Sequence, residues 1–234
     1  MPVIVIVGAG PGLGLSIARR FGREGFDVAL ISRTAANLDL LAAELAAAGV
    51  PAAGFPGDVL DRPSLTAALA AAADRFGPVD VLEYSPAAHG AAPSGLTMTD
   101  VLHVTAENVQ PQVEFYVYGA ITAVQAVLDG MLARGRGTLL FTTGASSAVT
   151  MPPMGNVGIA GAGLRNYALA LNAALADRGV YAAHVPLAVY IGSGGQETQP
   201  DTIAELYWDL HVSRNQAERL YSAPRAADRP MPLS

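Results

Sequence analysis

The 234-residue chain is 51% hydrophobic and 15% charged, with a net charge of −6; that balance builds a sizeable core and excludes a disordered chain. Negative net charge without a basic cluster argues against nucleic acid as a partner. Neither cysteine nor lysine occurs, all fourteen basic residues being arginine, so disulfides, thiol nucleophiles, Cys-ligated metals and any lysine-dependent mechanism are excluded. No apolar stretch is read as reaching about 18 residues and no basic segment precedes the short apolar run at the start, so the expectation is a cytoplasmic protein with no membrane partner.

Val3 to Val7 is a run of β-branched residues and reads as a strand buried on both faces. Gly8-Ala9-Gly10-Pro11-Gly12-Leu13-Gly14 follows, and the apolar spacing of Leu15, Ala18 and Phe21 starts a helix. A strand, a glycine turn and a helix N-terminus make a phosphate site, because free backbone N–H groups and the positive end of the helix dipole meet there. Gly8, Gly10, Pro11, Gly12, Leu13 and Gly14 are therefore candidate dinucleotide contacts. Their spacing, Gly8-x-x-x-Gly12-x-Gly14, resembles the short-chain dehydrogenase/reductase family.

Asp27 to Ile31 reads as a second strand that ends at Ser32-Arg33-Thr34. An acidic residue at such a strand end selects NAD, whereas an arginine accommodates the 2′-phosphate of NADP. Ser32 and Arg33 thus point to NADP(H), the alternative for Arg33 being a solvated loop charge. Ala35 to Gly49 reads as a helix, Ala52 to Phe55 as a third strand, and Ser64 to Phe76 as a helix. Asp58-Val59 resembles the family's Asp-Val pair at the adenine, while Asp58 as the cap of the following helix is the other reading. Val79 to Tyr84 is the fourth strand.

The family ends that strand in Asn-Asn-Ala-Gly; here Tyr84-Ser85-Pro86-Ala87 stands in its place. The resemblance makes Ser85 a cofactor neighbour. His89 follows in a Gly-, Ala- and Pro-rich loop, either as a substrate-facing acid/base or as an ordinary loop histidine. Ala106 to Met131 reads as one long helix, and Gly137 to Thr143 as the fifth strand.

Ala162 to Tyr167 and Leu175 to Val180 resemble the family's segment after its catalytic lysine. In that register the family's tyrosine and lysine fall on Val157 and Gly161, its serine on Gly144, and its asparagine on Tyr116. The family's tyrosine moves a proton, its lysine lowers the tyrosine pKa, and its serine polarises the carbonyl. None of these groups stands at those positions; a shift of register would bring Thr143, Ser146 or Ser147 to the serine's place, but no shift supplies the lysine. Tyr116 is the polar residue left to donate a proton, or else an aromatic filling the space that the glycines leave. A larger substrate lying in the emptied corner, or a helix packed closer to the sheet, are the two readings of Gly144, Val157 and Gly161.

Tyr181 to Val185 reads as the last strand. Tyr84 and Tyr190 are placed at the pocket border, since ligands meet the C-terminal ends of strands in open α/β sheets. Ile191 resembles the family residue whose backbone meets the nicotinamide amide. Gly192 to Pro200 reads as a lid loop, and Asp201 as the cap of a closing helix.

These elements predict one domain over residues 1–222, a Rossmann-type doubly wound parallel sheet of about seven strands, and a loosely ordered tail over 223–234. The resemblance implies NADP(H), a small-molecule substrate and a homodimer or homotetramer. It leaves open an atypical oxidoreductase, a non-redox cyclase or isomerase, and a silent dinucleotide-binding or sensing protein.

Overall fold

Each residue of β1 (Val3–Val7) is fully buried, because helices cover both faces of the strand. The computed structural model describes residues 1–87 and 96–222; His89 and the predicted tail over 223–234 lie outside them. β1 pairs in parallel with β2 (Asp27–Ser32) and with β4 (Val81–Tyr84). β3 (Ala52–Pro56) flanks β2, while β5 (Gly137–Gly144), β6 (Val180–Ala188) and the short β7 (Tyr221–Ser222) extend the other side. The seven-stranded order is β3-β2-β1-β4-β5-β6-β7, every pair parallel, which is the doubly wound arrangement expected from the sequence.

The alternating side chains of β1 divide the core into two layers. Ile4 and Ile6 pack with α1 (Leu13–Gly22), α2 (Ala35–Ala47) and α7 (Pro200–Ser213). Val3, Val5 and Val7 pack with α3 (Arg62–Phe76), α5 (Gly119–Arg134) and α6 (Gly155–Leu175).

Three local expectations are corrected. Asp61, and not Asp58, caps α3 by accepting from Ser64 N at 3.2 Å; Asp58 instead closes a turn by accepting from Leu60 N at 3.0 Å. Asp201 lies in the first turn of α7, which opens with Pro200 after Gln199, and accepts from Ser16 Oγ at 2.5 Å, tying α7 to α1. The long helix is not uniform: α4 (Ala106–Val113) passes through a π segment, Glu114–Tyr118, into α5.

The sequence reading also placed no long apolar stretch in the chain, whereas residues 106–134 reach a mean hydropathy of 1.3 in an 18-residue window. Phe115, Ala120, Ala123, Val124, Val127 and Met131 of that run are buried in the core layer beside the sheet.

Candidate functional site

The C-terminal ends of β1, β4, β5 and β6 bring Gly8, Ser85, Gly144 and Leu187 to one edge of the sheet. Gly8 begins that edge with φ +100°, a conformation that L side chains rarely adopt. A Cβ there would lie 2.6 Å from the backbone of Ser85 and Pro86. Gly8 N and Ala9 N both donate to Ile31 O, at 2.9 and 3.0 Å, which locks the turn against β2.

Gly10 and Gly12 differ from Gly8, because a Cβ at either would meet no protein atom within 4 Å. Their small size leaves open space above the turn. Gly12 is the N-cap of α1 and supplies no side-chain cap, no acidic residue stands in the first turn, and Leu13 and Gly14 open the helix. Leu15 N donates to Gly10 O at 3.0 Å, so the N–H groups of Leu13 and Gly14 are the ones that remain available to an anion. Gly14 serves packing instead, since its Cβ would sit 3.2 Å from Ala9 Cα.

Ser32 ends β2 half-buried, and its carbonyl accepts from Gly57 N at 3.0 Å. Arg33 beside it is exposed, with no hydrogen bond or ion pair to any described residue. Asp58 and Val59 lie one segment over, Val59 buried and Asp58 half-buried.

Tyr84 departs from its predicted place at a pocket border. Its side chain is fully buried and its hydroxyl donates to Phe115 O at 2.6 Å. The π segment frees that carbonyl from regular helical bonding, and Gly119 makes room for the ring, as a Cβ there would overlap the Tyr84 hydroxyl. Tyr116 next to it is half-buried, and its ring meets Phe115 edge-on at 5.1 Å between centroids. Burial pushes the Tyr116 phenol above its ordinary pKa.

Of the two readings of the emptied corner, close packing describes this structure. A Cβ on Gly161 would lie 3.0 Å from Ser147 Cβ, and one on Gly158 would lie 3.3 Å from Ser146 O. The 3-10 turn Ala145–Ser147 thus sits in the space where side chains on α6 would stand. Gly144 is exposed and Val157 half-buried. Tyr190 is 87% exposed, and Ile191 is exposed beside it. The segment read as a lid is tied down by Gly192 N donating to Thr198 O at 2.7 Å and Tyr221 Oη donating to Glu197 O at 2.7 Å.

Several polar groups of this region escaped the sequence reading. Glu83 is wholly buried in β4 and accepts from Ser85 Oγ at 2.7 Å and Thr142 Oγ1 at 2.8 Å. Thr142 Oγ1 also shares a 2.7 Å hydrogen bond with Tyr207 Oη, so α7, β5 and β4 meet at this carboxyl. Burial pushes Glu83 up to about 7 against those two hydroxyl bonds. Asn156, also fully buried, donates to Thr97 O and Asn108 O and accepts from Thr99 N at 2.9 Å, fastening the start of α6. The available signal was a lone polar residue inside an otherwise apolar segment.

A separate cleft of about 490 Å³ opens at the opposite end of the strands, among Pro2, Phe26, Asp80 and Arg214. It lies away from the strand ends where ligands of such sheets bind.

Comparison with known proteins decides the family. The family model described as short chain dehydrogenase matches residues 2–194. The chain belongs to the short-chain dehydrogenase family. Among curated relatives of this family, a putative ketoacyl reductase of Streptomyces coelicolor is 36% identical over 140 residues, covering 59% of this chain and 51% of that protein. The 2-(S)-hydroxypropyl-CoM dehydrogenase 3 of Xanthobacter autotrophicus is 30% identical over 208 residues, covering 86% and 79%. The matched stretch thus spans about half of the first relative's length and more of the second's. A crystal structure of an actinorhodin polyketide ketoreductase variant with NADPH superposes with a TM-score of 0.81 at 25% identity, covering 94% of each chain. An alcohol dehydrogenase of the archaeon Thermococcus sibiricus, complexed with 5-hydroxy-NADP, gives 0.78 at 25% identity, covering 96% of this chain and 99% of that one.

Proposed function

We propose that this member of the short-chain dehydrogenase family binds NADP(H) and acts as an atypical cytoplasmic oxidoreductase on a small carbonyl or enone compound, without the family's tyrosine–lysine pair. The observation that carries the reading is the uncapped helix start at Gly12 with Arg33, which pairs with no described residue, at the end of the neighbouring strand. The helix start suits a pyrophosphate, and the guanidinium suits a 2′-phosphate, which it grips with paired, charge-assisted bonds. The cofactor supplies or accepts hydride when bound. Asp58, Val59, Ser85 and Ile191 would complete its binding edge. Relatives and solved neighbours with reductase or dehydrogenase names, two of the latter with NADPH or an NADP derivative, support the same reading. Exposed Tyr118 and Ile159 on the π segment and α6 support assembly as a homodimer or homotetramer.

Replacing Arg33 tests the cofactor assignment. Arg33→Asp is expected to weaken NADPH by about 10- to 100-fold, the worth of a charge-assisted contact, while NADH changes little. Equal loss for both nucleotides in calorimetric titrations would remove Arg33 from this role.

Consumption of NADPH, followed by nicotinamide absorbance across a panel of ketones, diketones and enones, tests the reaction. Turnover of one class is the expected result. A second reading, a silent dinucleotide-binding protein, is favoured by the close packing of α6 on the turn at Ser147; NADPH binding with no turnover across the panel would select it. Tyr116→Phe is expected to keep turnover within about threefold, whereas loss of the general acid costs roughly 10²–10⁴. A fall of that larger size would make Tyr116 the donor.

A further inference from the structure

A chain of polar side chains runs from the middle of β6 to the C-terminal end of β5 and the turn after it, which packs on α6 where the family's tyrosine and lysine are missing. Arg165 on α6 donates to both carboxylate oxygens of Glu218, at 2.5 and 2.8 Å. Glu218 Oε2 stands 2.9 Å from His184 Nδ1, and His184 Nε2 stands 2.8 Å from Thr143 Oγ1. Thr143 Oγ1 is 2.7 Å from Ser147 Oγ, which also reaches Gly144 O at 2.9 Å. His184 is fully buried, while Thr143 and Ser147 keep 6% and 5% of their surface exposed.

Counting hydrogens gives this chain two arrangements in which every link from Glu218 to Ser147 is a hydrogen bond. Arg165 holds Glu218 below the usual carboxylate range, so Glu218 is ionised and His184 Nδ1 must carry a hydrogen. With the imidazole neutral, Nε2 is bare and takes the Thr143 hydroxyl hydrogen, and Thr143 Oγ1 accepts from Ser147. One proton added at Nε2 turns every bond around. Nε2–H then donates to Thr143, Thr143 donates to Ser147, and the Ser147 hydrogen points to Gly144 O or to a ligand oxygen.

Ser147 sits between two of the emptied positions, beside the site of a Gly161 Cβ and bonded to the carbonyl of Gly144. We propose that Glu218, His184, Thr143 and Ser147 form a proton relay that replaces the tyrosine–lysine pair, with the Ser147 hydroxyl meeting the substrate oxygen. The inference rests on the oxidoreductase reading above. In reduction, the substrate carbonyl carbon receives hydride with its electron pair from the dihydronicotinamide, and the C=O π pair moves to oxygen. That oxygen takes the Ser147 proton, Ser147 is refilled from Thr143, and Thr143 from His184 Nε2. An alcohol, an oxidised nicotinamide and a neutral imidazole remain, and a proton taken up from water at Ser147 after product leaves returns to His184 Nε2 through Thr143. Alcohol oxidation runs the same steps backwards.

His184 and Glu218 hold and orient the proton; Ser147 is the catalytic residue. Glu218 and Arg165 are the charged groups that face the imidazole. Burial and, to a smaller extent, Arg165 lower its pKa against the pull of Glu218, so the proton on Nε2 leaves readily.

The test has two parts. Imidazole ¹⁵N NMR of the full chain without cofactor is expected to show His184 as the Nδ1–H tautomer at neutral pH, with its Nε2 resonance moved by Thr143→Val. The opposite tautomer, or no response to Thr143→Val, overturns the relay whatever the enzyme turns over. NADPH consumption with benzil, cyclohexanone and cyclohexenone is the second part. His184→Gln keeps polar contacts but cannot titrate, and Ser147→Ala removes the terminal hydroxyl. Both are expected to lose about 10²–10⁴ in kcat, with a flat pH profile in His184→Gln and NADPH affinity retained. If His184→Gln melts early, Ser147→Ala alone decides. Turnover and pH profile unchanged in the folded variants would overturn the relay and leave the reductase reading standing. NADPH binding with no turnover by the unmodified enzyme would overturn both.

Discussion

Gly8→Ala is expected to lower the melting temperature by about 5–20 °C and to abolish NADPH binding. The left-handed backbone at φ +100° costs a non-glycine residue about 1–3 kcal/mol. Its Cβ would also lie 2.6 Å from the backbone of Ser85 and Pro86, and relieving such overpacking costs about 1–3 kcal/mol more. At about 2–4 °C per kcal/mol for a chain of this size, the sum gives the range above. Gly10→Ala is the control, because its Cβ meets no protein atom within 4 Å. That variant should keep its melting temperature and lose nucleotide affinity, since the methyl group enters the space left for phosphate. Equal thermal loss in both variants, followed by calorimetry, would mean that the turn serves the fold alone.

Glu83 gives the second large effect. Burial raises its pKa from 4.5 to about 7, so between those values the folded state binds more protons than the unfolded one. Stability from this group is complete below 4.5 and declines as pH rises through about 7. At 1.36 kcal/mol for each pH unit, the change amounts to about 3 kcal/mol. Glu83→Gln removes the titration while keeping an acceptor for Thr142 and polar atoms for Ser85. The variant should therefore gain on the parent as pH rises from about 5 to about 8, ending about 1–3 kcal/mol more stable on that scale. A stability difference that stays constant across this range would contradict a neutral, buried Glu83. The carboxyl joins α7, β5 and β4 through Tyr207, Thr142 and Ser85, directly beside the segment that crowds Gly8.

The sequence makes the fold legible where burial writes a pattern. Runs of β-branched residues in β1 and β2, glycine stops such as Gly49 with φ +77°, and the strand–turn–helix at Gly8 all carry local causes that survive in the folded chain. Helix starts were less legible, because α7 starts after Gln199 with no side-chain cap while Asp201 turns to Ser16, and because Asp58 and Asp61 are equivalent caps on composition alone. Choosing between them needs the backbone angles that the tertiary fold imposes. Tyr84 was misplaced for a related reason. A strand end can face solvent or core, and only the π segment and Gly119, brought from elsewhere in the chain, close over its hydroxyl.

The glycine turn was legible residue by residue, since it acts through its own backbone. The proton chain was not, because His184 and Glu218 lie far from the Thr143 and Ser147 pair along the sequence. Thr143 and His184 are 41 positions apart, and His184 and Glu218 are 34 apart. No spacing rule links them, and only the parallel pairing of β5 with β6 sets Thr143 beside that strand. Two isolated signs were present all the same: a carboxylate in β4 and a histidine in β6, each inside an otherwise apolar strand.

The central claim is that the turn at Gly8 to Gly14 and Arg33 together hold a phosphorylated dinucleotide. Titration of the unmodified chain with NADPH and with NADH, followed by nicotinamide fluorescence, measures it most directly. Saturable binding of NADPH, about tenfold or more tighter than NADH for one added charged contact, is the result expected. Failure to bind either nucleotide, or tighter binding of NADH, would contradict it.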